Sequence, residues 1–114
     1  MRGGNIERQI EVIKVDIETI EYELEFLYRE EKQYKEACES VQRRYLEIIN
    51  NMYICYPLFE IKMVSAEIKM YLNRYINIKN KIQEYTNKLN ELKFELIELE
   101  KELAMIDKQI THNI

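Results

Sequence analysis

Nucleophilic, metal-binding or proton-transfer chemistry in this chain would rest on one histidine, His112, two cysteines, Cys38 and Cys55, and a block of carboxylates, Asp16, Glu18, Glu21, Glu23 and Glu25. Acid–base catalysis by histidine needs a partner group within hydrogen-bond reach, and His112 stands in a C-terminal tail expected to fray. A zinc site containing that histidine would need further ligands at close spacing, and none accompany it. The cysteines lie 17 residues apart. On one helix that is roughly 25 Å, too far for a bond between them. They read as two reduced thiols: Cys38 in a helical seam, where burial makes it inert, and Cys55 at a turn. An intermolecular disulfide through Cys55 is the sharper alternative. Glutamates at helical spacing are first of all a solvated face. No catalytic, cofactor-binding or metal-ligating residue is assigned, and the chain is read as non-enzymatic.

The apolar residues carry the organisation. In the first arm a seven-residue repeat runs through Ile6, Ile13, Ile20, Leu27, Tyr34, Val41 and Ile48, with a second series at Ile10, Ile17, Leu24, Glu31, Cys38, Tyr45 and Met52. These are the d and a positions of a coiled-coil helix, interrupted only by Glu31. Asn5 is the expected N-cap. In the second arm the repeat resumes at Ile61, Ile68, Tyr75, Ile82, Leu89, Leu96, Leu103 and Ile110, with Val64, Tyr71, Ile78, Tyr85, Leu92, Leu99 and Ile106 beside them.

The two repeats are out of phase by two residues, which a continuous coiled coil does not absorb as it does an insertion of three or four. Pro57, the only proline, removes a backbone donor and pushes Tyr56 out of the helical region. The expected fold is therefore all-α: one domain over residues 1–114, a helix over 5–52, a hinge over 53–57 and a helix over 58–112. The arms fold into an antiparallel coiled-coil hairpin, and dimerisation would make it a four-helix bundle.

Paired layers then have residue numbers summing to about 109, such as Ile20 with Leu89 and Ile48 with Ile61. In that register Glu23 faces Lys88, Glu30 faces Lys81 and Arg44 faces Glu67, while Glu31 is placed to reach Lys79 or Lys81. The acidic block would be neutralised by the lysine-rich stretch of the second arm. Five seam tyrosines suit a two-helix interface whose edges are wet.

Composition narrows the function classes. A formal charge of -4 disfavours nucleic-acid binding, and no apolar run approaches the roughly 20 residues of a membrane span. The N-terminal residues lack an apolar signal core, so the expected address is cytoplasmic, with leaderless export alongside a partner as the variation.

Two helices that each bury one stripe leave most of their circumference exposed. Three off-seam groups are candidates for partner binding. The first is an outer stripe on the first arm, Val12, Val15, Tyr22 and Phe26, with Thr19 in line. The second is Phe94 and Ile97, with Met105, and the third is the hinge residues Tyr53, Ile54, Tyr56, Leu58 and Phe59. The partner expected is another helical protein, or a second copy of the chain.

On its heptads, over nearly its whole length, the chain resembles the small helical-hairpin partner proteins of bacterial secretion systems. These are the accessory proteins paired with toxin helices in type VII secretion and the stalk-like coiled coils of flagellar and type III export. Tyr56-Pro57-Leu58 takes the place of the Trp-x-Gly turn found in many type VII substrates. The resemblance implies an adaptor or chaperone role. The alternative is a small inhibitor or regulator, of the kind phages encode, acting through the acidic face from Asp16 to Glu25.

Overall fold

The computed structural model describes residues 2–51 and 58–112. The chain is all-α, a hairpin of two long helices, α1 (Arg2–Asn50) and α2 (Leu58–His112).

Helix α1 begins at Arg2, so Asn5 stands inside the first turn and does not cap it. The buried d-position residue Ile6 supplies the reason: packing holds the preceding turn helical although glycine is a weak helix former. At the other end no basic residue faces the last-turn carbonyls of α1. Asn51 does that work: its backbone N–H donates to the carbonyls of Glu47 and Ile48 at 3.1 and 3.3 Å, and its side-chain Nδ2 donates to Glu47 O at 2.9 Å. Helix α2 carries Glu60 in its first turn, where a carboxylate complements the positive end of the helix dipole.

The chain divides into two compact units, Met1–Glu25 with Gln83–Ile114, and Phe26–Ile82. In the first, Ile6, Ile10, Ile13, Ile17, Ile20 and Leu24 of α1 are buried against α2, which contributes buried Leu89 and half-buried Tyr85, Leu92, Leu96, Leu99, Leu103 and Ile106. In the second, Val41, Ile48 and Val64 form a small core ringed by Tyr45, Ile61, Ile68 and Tyr71, with Leu27, Cys38 and Ile78 also buried. Among the described seam positions every one is buried or half-buried, as the heptads require.

The burial is unequal between helices. Of the thirteen buried apolar side chains described, ten belong to α1 and three to α2. No large side chain among the described residues is fully buried, which is the signature of a seam one layer thick.

Candidate interaction surfaces

The first unit presents one such surface on the back of α1. Positions 12, 15, 19 and 22 alternate steps of three and four, which keeps them on one helical face opposite the seam. Val12, Val15 and Tyr22 are 60, 59 and 75% exposed. Thr19 in the middle of the stripe has its donor satisfied, because its Oγ1 donates to the carbonyl of Val15 at 2.9 Å. Heptad-spaced acids border the stripe on both sides: Glu11, Glu18 and Glu25 along one edge, Asp16 and Glu23 along the other.

On the back of α2 in the same unit, Phe94, Ile97 and Met105 are exposed. Glu23 lies beside the Tyr85 hydroxyl. That carboxylate's charge is the main reason the phenol is pushed above its ordinary pKa, with a hydrogen bond between the two, partial burial and Glu84 adding to it. Lys88 lines the same cleft as Asp16 and Glu23, yet no ion pair joins it to either.

In the second unit the expected bridge between Arg44 and Glu67 is present, 2.8 Å from Nη2 to Oε2. Neither Glu23 with Lys88 nor Glu30 with Lys81 forms an ion pair, so the neutralisation expected between the acidic block and the lysine-rich stretch is not realised at those pairs. Glu31 is half-buried and pairs with neither Lys79 nor Lys81. Lys79 instead places its ammonium 5.1 Å from the centre of the Tyr75 ring, and Arg74 sits 6.0 Å over Tyr34, which itself packs on Tyr71 at 6.3 Å. A tyrosine face is a nearby partner that demands little side-chain ordering, and it wins over a distant carboxylate. Cys38 is buried, and loss of solvent, helped by neighbouring Glu39, raises its thiol pKa and leaves it a poor nucleophile.

Phe26 and Leu58 are exposed in this unit. Tyr53, Ile54 and Tyr56, Cys55 and the side chain of Phe59 lie outside the described residues. The structure adds exposed apolar residues that the sequence reading did not single out. Leu46 and Ile49 on α1 are exposed, and Met63 on α2 lines an open groove of about 440 Å³ together with Ile48, Val64 and the Arg44–Glu67 pair. Farther along α2 are Met70, Leu72 and Ile76. Their off-seam heptad positions were the available signal.

Among the described residues no three His, Cys, Asp or Glu side chains converge as metal ligands, and no helix is long and apolar enough to cross a membrane. No family model matches the chain, and neither a curated protein nor a solved structure does.

Proposed function

We propose that this chain is a non-enzymatic interaction module, a helical adaptor or chaperone that binds another helical protein and serves as an accessory of a bacterial secretion system. The observation that carries the reading is the outward row of Val12, Val15 and Tyr22, each more than half exposed on a helix whose other face is already occupied. Apolar side chains at heptad spacing gain most by meeting another helix. The thin seam supports it too, because a hairpin with no fully buried large side chain has much to gain from added packing. The module would act in the cytoplasm, or leave with its partner by a leaderless route.

A second reading, an inhibitor or regulator that presents an acidic helix to a basic site, draws on the carboxylates of α1 that form no ion pair among the described residues. Light scattering of the purified chain, alone and mixed with the product of a neighbouring gene, tests the first reading. A one-to-one complex that persists in high salt and is lost on Tyr22→Glu or Phe26→Glu is the expected result. A complex that dissolves in salt and ignores those substitutions would favour the second. A doubled mass for the chain alone would make the partner a second copy, and a monomer with every candidate would remove the adaptor reading.

A further inference from the structure

The border of the α1 stripe says what kind of helix would fit it. Glu11, Glu18 and Glu25 repeat every seven residues along one edge, and Asp16 and Glu23 stand along the other at the same interval. None of the five is in an ion pair among the described residues. The two edges differ in surroundings: Asp16 and Glu23 share a cleft with Lys88 and Tyr85, whereas the row of Glu11, Glu18 and Glu25 is exposed on the far side of the stripe. None of these three carboxylates is in an ion pair among the described residues, and with Lys14 the one basic residue between Glu11 and Glu18 the row stays net negative.

In a coiled coil the residues flanking the apolar stripe choose the partner, because opposite charges across the interface are favoured and like charges are penalised. A second copy docking through this same face, parallel or antiparallel, would set carboxylate rows against carboxylate rows. That penalises self-pairing here by the like-charge rule. The Thr19 hydroxyl spends its donor on Val15 O, so between Val12 and Tyr22 the stripe offers no free donor, and recognition is left mainly to shape and the bordering charge.

We infer that the outer face of α1 from Val12 to Tyr22 is a second coiled-coil seam for an amphipathic helix of another protein, one with two apolar residues per heptad flanked by lysine or arginine. This assignment rests on the adaptor reading and gives its partner a chemistry.

The test uses the full chain and two designed peptides of about three heptads, each with leucine at the a and d positions, one flanked by lysines and the other by glutamates. Titration calorimetry at low and physiological salt should show binding of the lysine-flanked peptide and none of the glutamate-flanked one. Reversal of one edge, Glu11→Lys with Glu18→Lys and Glu25→Lys, should weaken the lysine-flanked peptide by about tenfold or more and admit the glutamate-flanked one. Val15→Glu with Tyr22→Glu should abolish binding of both. All five positions are exposed, and helix content by circular dichroism confirms that each variant is folded.

Equal binding of both peptides, no binding of either, or binding unaffected by the Val15 and Tyr22 changes would overturn the assignment. The fate of the adaptor reading is read separately. A partner complex seen by light scattering that survives Val15→Glu with Tyr22→Glu leaves that reading standing on another surface and removes this one.

Discussion

The two units solve one problem with different side chains. The first closes its seam with aliphatic residues, Ile6 to Leu24 against Leu89 and its leucine neighbours, and Tyr85 is the single aromatic there. The second uses Tyr34, Tyr45, Tyr71 and Tyr75 beside Cys38 and Glu31, and steadies the ring faces with Arg74 and Lys79. Aliphatic side chains stabilise by leaving water altogether, about 1.5–3 kcal/mol each when fully buried. Seam tyrosines keep their hydroxyls near water and trade part of that gain for tolerance of neighbours. The first unit should therefore be the stiffer and the second the earlier to open.

The largest effect expected is at the aliphatic seam. Ile20 is 5% exposed, and Ile20→Ala should cost about 2–4 kcal/mol in urea denaturation. In the aromatic unit Tyr34→Ala should cost less, about 1–2 kcal/mol, because that side chain already keeps part of its surface in water and its loss leaves a site open to solvent. Equal losses at the two sites would erase the distinction between units. Native-state hydrogen exchange sharpens it: amides near Val41 should exchange at lower opening free energy than those near Ile17.

A smaller effect attaches to Arg44→Ala, which removes the 2.8 Å pair with Glu67. With the two side chains 54 and 35% exposed, solvent screening holds the loss to about 0–1 kcal/mol, further reduced in high salt.

The smallest is spectroscopic. The folded-state pKa of Tyr85 is raised, so its contribution to stability is intact below the unfolded value of about 10 and fades as pH rises through the folded one. Phenolate absorbance should show Tyr85 ionising above the ordinary tyrosine value, and Glu23→Gln should lower its pKa. A titration unchanged by that substitution would mean that Glu23 does not set it.

The faces of both helices were legible from the heptads alone, down to half-buried Glu31, because periodicity fixes which residues point inward. The register was legible from charge at Arg44 and Glu67, where two flanking groups of opposite sign meet across the seam. It misled at Glu23, which stands beside Tyr85 without pairing with Lys88, and at Glu31, because long exposed side chains choose among partners that differ by fractions of a kcal/mol. The start of α1 was misread for a related reason. Cap preference at Asn5 is a local signal, and burial of Ile6 outweighs it. The row of Val12, Val15 and Tyr22 was visible as spacing, but its readiness as a continuous stripe depended on the Thr19 hydroxyl turning onto its own backbone, which no pattern announces.

The lopsided burial among the described residues, ten sunk side chains on α1 against three on α2, bears on how this chain can change over generations. A sunk isoleucine has no slack, whereas a leucine or tyrosine with one rim in water can be exchanged for another at modest loss. Drift should therefore accumulate faster at the seam positions of α2 than at those of α1, and a saturation library sorted for folded protein would display that asymmetry as two contrasting tolerance profiles along the seam.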